Sequence, residues 1–196
     1  MIESFLMRPN DIVANRKARK WSRMELLGRV LWALVRPVFI LSPRPLWGLR
    51  RGLLRSFGAQ IGKDVQIYPT VRIFIPWNLT IEDQAGVGDC VILYALGPIK
   101  IGERASISQG AHLCAGSHDY NDPAMPLIKP PIVIGQDAWI CADAFVGPGV
   151  TVGAGAILGA RAVAFKNIPP ATIAIGNPAR VIKTRVMSTM DRSPQK

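Results

Sequence analysis

Residues that build disulfide scaffolds and metal centres are scarce in this chain: three cysteines, Cys90, Cys114 and Cys141, and two histidines, His112 and His118. The cysteines show no C-x-x-C spacing, and their odd number argues against a disulfide framework and for a reducing, cytoplasmic setting. Two histidines cannot supply the three imidazoles of a γ-type carbonic anhydrase, so no metal is expected. The first twenty residues lack a continuous apolar stretch followed by a small-residue cleavage site, and no secretory signal is read there. A long apolar run is missing too. A membrane-crossing helix needs about 20 nearly continuous apolar residues, and the nearest approach, Trp21 to Ile40, is broken by Arg29, Arg36 and Pro37.

Acidic residues are few: 13 against 24 lysines and arginines, for a net charge of +11. The imbalance is local, because residues 1–58 carry 12 basic against 3 acidic side chains and residues 59–196 carry 12 against 10. A basic N-terminal segment suits an anionic partner such as membrane phosphate, nucleic acid or a phosphorylated substrate; a solvated helical face accounts for the same count. Within it Met24, Leu27, Leu31, Leu34 and Val38 recur at three- and four-residue spacing, which predicts an amphipathic helix lying on a surface or packed on protein. Pro43 and Pro45 end that pattern, and the stretch LWGLRRGLLRSFGA leads on to residue 59. Trp21, Trp32 and Trp47, interleaved with Arg and Leu, read as interfacial anchors at a membrane rather than as a nucleic-acid-reading helix.

From Ile61 a different register begins. IGKDVQ, IYPTVR, VGDCVI, IGERAS, ISQGAH, LCAGSH, IGQDAW, ICADAF, VGPGVT, VGAGAI and LGARAV share one frame, an aliphatic residue every six positions, often followed by glycine. That period fits neither an α-helix nor an alternating strand. It fits a solenoid whose flat faces each take one hexapeptide, three faces making a coil of roughly 18 residues. The leading aliphatic points into a narrow triangular core, and glycine relieves crowding at the corner. The small fifth residue (Val65, Val91, Ala105, Ala111, Ala138, Val150, Ala156, Ala162) points inward as well. The expected fold is mainly β, a left-handed parallel β-helix of five or six coils, roughly 25–30 Å long at about 4.8 Å per coil. The expected domains are a basic helical segment at 1–58 that caps one end, the β-helix at 59–178, and a C-terminal tail at 179–196 that covers or trails from the other end. A sugar-nucleotide pyrophosphorylase is excluded, because the segment before the helix is too short for its nucleotide-binding domain.

The repeat is interrupted once. After LCAGSH the chain reads DYNDPAMPLIKPP, and the frame resumes at Ile132. Residues 119–131 are therefore a loop thrown out of the solenoid, and its prolines and Met125, Leu127 and Ile128 make it a semi-rigid arm that packs on a neighbour. His118 is the last residue before it, where an imidazole can meet a substrate while its other nitrogen is held. A lone histidine is also compatible with a structural role. His112, on another face, is assigned a structural or surface role. Cys141, a corner filler with no histidine in obvious reach, is not read as a nucleophile.

Two motif sets carry a resemblance. GSHDYNDP, IGQDAWICADAFVGPGVTVGAGAILGARAV and IPPATIAIGNPARVIK resemble the maltose, galactoside and nodulation-factor O-acetyltransferases. The longer match, from RSFGAQIG through IPWNLTIED and ISQGAHLCAGSHDYNDP, resembles the colanic acid biosynthesis acetyltransferases and covers roughly residues 50–185. The resemblance implies a homotrimer with acetyl-CoA in the groove between two β-helices. It implies His118 as general base for direct attack of a sugar hydroxyl on the thioester, with a sugar or exopolysaccharide precursor as acceptor; the basic, tryptophan-bearing N-terminal segment is in turn expected to hold the trimer at the inner membrane face, near a lipid-linked acceptor. Carried over, Trp139 walls the pantetheine channel, the backbone of Ala142 and Ala160 bonds its amides, and Lys166, Arg180 and Lys183 face the nucleotide phosphates. Core or trimer packing for Trp139, and solubility for the cations, are the plainer alternatives. Tyr94 and Asp119 are candidates for holding the sugar or orienting His118. A non-catalytic structural or binding solenoid is the competing reading.

Overall fold

The computed structural model describes residues 10–186. Its centre is a left-handed parallel β-helix of about six turns. The first face stacks Gln60–Ile61, Leu79–Ile81, Ile99–Ile101, Ile132–Ile134 and Thr151–Val152; the third stacks Arg72–Ile73, Ile92–Tyr94, His112–Cys114, Phe145–Val146 and Val163–Ala164. The second face runs from Gln66–Ile67 through Gly86–Val87, Ser106–Ile107, Trp139–Ile140 and Ile157–Leu158 to Thr172–Ile175. Register is kept between coils, so Ile61, Ile81, Ile101, Ile134 and Val152 stand in one buried ladder.

The hexapeptide explains itself in this geometry. All eight of the small fifth-position residues are at most 2% exposed. The fourth position takes up the turn, with left-handed backbone at Asp64 (φ 53°), Arg104 (φ 55°), Asp137 (φ 56°) and Arg161 (φ 57°), a conformation uncommon outside glycine. The second-position glycine answers a different demand, since a Cβ on Gly135 would stand 2.4 Å from the amide nitrogen of Ala154 on the next coil.

The N-terminal segment caps one end. Helices α1 (Ile12–Lys17), α2 (Arg23–Leu41) and α3 (Trp47–Ser56) precede the first coil, and Trp32, Phe39 and Leu54 join its core. Amides of each coil donate to carbonyls of the following one, as Gly62 N does to Ile81 O at 2.8 Å. First-coil carbonyls therefore lack a preceding partner, and side chains supply it. Arg50 Nε donates to Ile67 O at 2.6 Å, Arg51 Nη1 to Val65 O at 3.0 Å, Arg55 Nε to Ile61 O at 3.0 Å and Trp32 Nε1 to Ile73 O at 2.9 Å. Part of the basic character is thus spent on sealing the solenoid.

Two expectations are corrected and one left open is decided. Trp32 is not an interfacial anchor, being 3% exposed; Trp47 lies half-buried against Tyr68 and Arg50, and Trp21 lies half-buried between Arg29 and Lys129. Of the two placements expected for the periodic stripe of α2, the structure gives the surface one: Gly28, Trp32, Val35 and Phe39 face the protein, leaving Leu34 71% exposed. The segment set apart as a tail begins with a strand, Arg180–Thr184, antiparallel to Thr172–Ile175 on the second face. Arg185 fixes its end, its Nη1 donating to Asp137 O at 3.0 Å and Gly155 O at 2.8 Å. Residues 187–196 of that tail lie outside the described residues.

Candidate active site

His118 sits where the third face would turn into the first. The strand His112–Cys114 ends there, and Ser117–His118 leaves the solenoid to pair antiparallel with Leu127–Ile128, His118 opposite Leu127. The imidazole is exposed, and its Nδ1 lies 2.6 Å from the carbonyl oxygen of Met125. A carbonyl only accepts, so Nδ1 carries the proton and Nε2 keeps a lone pair facing out. Asp119 does not orient the ring: its Oδ1 accepts from Asn121 N at 3.0 Å, closing a local turn.

Met125 itself has φ 45° and donates its amide to Asp122 O at 2.8 Å, so a tight turn aims its carbonyl at His118. The loop is held from the chain's own N-terminal segment and not, as its apolar residues suggested, by a neighbour alone. Asp11 N donates to Pro123 O at 2.7 Å, and Asn15 Nδ2 donates to Ala124 O at 2.7 Å and Met125 O at 2.6 Å. Lys129 Nζ stands 3.9 Å from the Trp21 ring centroid. Sequence reasoning missed Asn15 and α1; the only local signal was the helix cap Asp11, whose Oδ1 accepts from Ala14 N at 2.8 Å.

Tyr94 lies on the third face, register partner of Cys114, in an outward row of rings formed by Phe74, Tyr94, His112, Phe145 and Phe165. His112 is half-buried in that row, between Tyr94 and Phe145. Burial, then the nearby Arg72 charge, pushes its pKa below the ordinary 6.5, which keeps it a neutral packing group. Burial pushes the Cys141 thiol up, away from the thiolate a nucleophile needs.

The cofactor candidates lie elsewhere on the prism. Trp139 projects from the second face, 44% exposed, with Nε1 donating to Ser108 Oγ at 2.8 Å. Because Trp139 pairs with Ile157 and Ile140 with Leu158, Ala142 and Ala160 stand one coil apart at the corner between second and third faces. Ala142 O accepts from Arg161 N at 2.9 Å, whereas neither backbone polar group of Ala160 bonds to other backbone among the described residues. Arg180 and Lys183 lie on the outermost strand of the second face, about 14 Å from the Trp139 strand at three strand spacings. Lys166 does not join them; it follows Val163–Ala164 at the corner between third and first faces. No group of three or more His, Cys, Asp or Glu suited to a metal ion occurs among the described residues.

Residues 131–164 match the family described as bacterial transferase hexapeptide (six repeats). Over 155 residues the chain is 49% identical to the colanic acid biosynthesis acetyltransferase WcaF of Escherichia coli K12, covering 79% of this chain and 85% of that protein. The chain belongs to the colanic acid biosynthesis acetyltransferase family. This acetyltransferase is also 34% identical over 138 residues to nodulation protein L of Rhizobium meliloti, covering 68% of this chain and 72% of that one. A hexapeptide-repeat acetyltransferase of Vibrio cholerae, solved with acetyl coenzyme A, shares its fold with a TM-score of 0.78 at 23% identity, over 86% of this chain and 93% of that one. In a single copy of the acetyltransferase, His118 stands on the ejected hairpin at the corner between third and first faces, and Trp139 on the second face.

Proposed function

We propose that this acetyltransferase moves an acetyl group from acetyl-CoA to a hydroxyl of a sugar or exopolysaccharide precursor, with His118 as general base. The observation that carries the proposal is the Met125 carbonyl on His118 Nδ1, which leaves an outward Nε2 as the proton acceptor. Nε2 takes the hydroxyl proton as the sugar oxygen attacks the thioester carbonyl. The tetrahedral intermediate then collapses, the carbon–sulfur bond breaks, and the departing thiolate takes the proton back from the imidazolium. No acyl-enzyme is needed, in keeping with the raised Cys141 thiol. Proton transfer by a positioned base contributes about 10²–10⁴-fold, the rest coming from positioning and from donors to the oxyanion.

The separation of His118 from Trp139 supports a site shared between copies. In a homotrimer of parallel β-helices, the groove between copies unites the His118 corner of one with the Trp139 face of the next. Tyr94 and Asp119 then border the acceptor, and Trp139 walls the pantetheine arm. The stacked small side chains of Ala142 and Ala160 let that arm lie against the coil, where the unpaired Ala160 backbone can bond its amides. Arg180 and Lys183, with Lys166 from another face, serve the nucleotide phosphates.

The test is CoA release from acetyl-CoA with a panel of exopolysaccharide-type sugars, wild type against His118→Ala. Acceptor-dependent turnover lowered by about 10²–10⁴-fold in the variant is expected. Unchanged turnover in the variant removes His118 from the chemistry; absence of turnover with every acceptor, together with no acetyl-CoA binding, overturns the transferase.

A further inference from the structure

Helix α2 is amphipathic in the wrong sense for a helix that only caps a solenoid. Of its twelve exposed positions, only Arg23 is not apolar. Met24, Leu27, Leu31, Leu34, Val38 and Leu41 are between 46% and 81% exposed. At 3.6 residues per turn the exposed positions span roughly 200° of the circumference. A two-helix seam covers a narrower stripe than this and would leave much of the arc wet. The apolar interior of a bilayer has no such limit.

Apart from Arg23 in the first turn, the charged residues of α2 lie along one border of the arc, and they point to what faces it. Arg29 and Arg36 flank Ala33, which belongs both to the exposed arc and to a cleft of about 140 Å³ against the solenoid, completed by Arg72 and Phe74. None of the three guanidinium groups makes a hydrogen bond or ion pair among the described residues, and Arg36 Nε is buried without a partner. Arg29 rests on the Trp21 ring, its guanidinium carbon 4.4 Å from the centroid. Glu25, on the same border, is engaged by its own capping box, accepting from Ser22 N at 2.7 Å. Arg29 has the capped Glu25 as its acidic neighbour, and three cations lining one cleft suit an anion with several acceptor oxygens. A cleft of about 140 Å³ admits several waters and so has room for a phosphate group. An apolar arc bordered by a phosphate-sized cationic cleft is the chemistry of an anionic lipid surface, which brings both partners at once.

We propose that α2 docks the protein on an anionic membrane surface, its apolar arc entering the boundary between headgroups and acyl chains and the Arg29–Arg36–Arg72 cleft receiving a lipid phosphate. No helix among the described residues is long and apolar enough to cross a membrane, so α2 lies in the interface plane. Trp32, buried in the core, takes no part in this docking. The proposal stands independently of the acetyl-transfer reading.

The test is flotation of the full chain with vesicles of phosphatidylcholine alone and of phosphatidylcholine mixed with phosphatidylglycerol. Wild type is expected to float with the mixed vesicles, more weakly with the neutral ones, and less at high salt. Leu27→Glu combined with Leu34→Glu abolishes flotation with both, and unchanged circular dichroism and thermal unfolding show that the fold survives. Arg29→Gln combined with Arg36→Gln weakens binding to mixed vesicles by about tenfold or more and leaves neutral vesicles unaffected. Wild type that floats with neither vesicle overturns the proposal. So does a smaller sedimentation mass for the Leu27→Glu, Leu34→Glu chain, because a second copy then covers the arc. Binding indifferent to the arginine substitutions overturns the role of the cleft.

Discussion

Asn15 and His118 donate to the same oxygen, the carbonyl of Met125, each at 2.6 Å. One residue is on the short helix α1, the other at the base of the ejected loop, and Lys20 Nζ in turn donates to Asn15 Oδ1 at 2.7 Å. The carbonyl that sets the imidazole tautomer is therefore itself positioned by the N-terminal segment.

Asn15→Asp removes the amide donor while retaining the oxygen that Lys20 contacts. Both hydrogen bonds of that amide, to Ala124 O and Met125 O, are lost, each worth about 1 kcal/mol net; only the second bears on His118, so a fall in kcat of about fivefold is expected. The KM for acetyl-CoA stays unchanged, because Asn15 lies away from the Trp139 face. Steady-state kinetics that separate kcat from KM check this; a change in KM alone would show that Asn15 supports cofactor binding instead.

His112 gives a pH-dependent prediction. Its folded pKa lies below the ordinary 6.5, so the unfolded chain binds a proton at a higher pH than the folded one. Stability attached to this group is complete above the unfolded value and is lost as pH falls through it. Between about pH 7 and pH 5, His112→Phe is expected to lose less thermal stability than wild type, since phenylalanine extends the ring row without taking a proton. Parallel melting curves across that range measure the difference, and equal slopes for the two proteins would assign the acid response to other groups.

Much of the architecture was legible because the hexapeptide is a local rule with a global consequence. Ile61, Val65 and their equivalents meet the same core environment on every coil, so a period visible in the string is a period in space. The residues around His118 obey no such rule. Asn15 reaches Met125 across 110 positions, and nothing in IVANRK marks its asparagine as a loop clamp. The stripe Met24, Leu27, Leu31, Leu34 and Val38 is apolar and helical as its spacing predicts, but periodicity cannot tell a face toward the protein from one turned away from it. The arginines misled for a related reason. Charge counting cannot distinguish Arg50, fully buried and sealing a backbone edge, from cations available to a partner.

Arg50→Leu tests that sealing role. The guanidinium donates to Ile67 O, Ser42 Oγ, Pro43 O and Arg44 O, and leucine satisfies none of them. Burial lowers the pKa of Arg50, yet carbonyl and hydroxyl acceptors offset the desolvation. An unsatisfied first-coil carbonyl and the loss of several charge-assisted bonds are expected to cost about 3 kcal/mol or more. Chemical denaturation measures this, and a cost well under 1 kcal/mol would mean that water replaces the arginine at that edge.

A substitution at Ala160 tells a cofactor groove from a purely structural corner. Its side chain is exposed at a corner, directly above that of Ala142 on the neighbouring coil, so a larger residue there meets solvent rather than core. Ala160→Leu should therefore leave the melting temperature within about 1–2 °C of wild type, in line with the small effects of exposed substitutions. If the pantetheine arm lies along this corner, the same branched side chain occupies its path and raises the KM for acetyl-CoA by about tenfold or more, a loss of about 1.4 kcal/mol. The contrast is diagnostic, because a structural corner would respond in stability and a cofactor groove responds in affinity. Unchanged stability with unchanged KM would move the groove off the corner between the second and third faces, and with it the role proposed for Ala142.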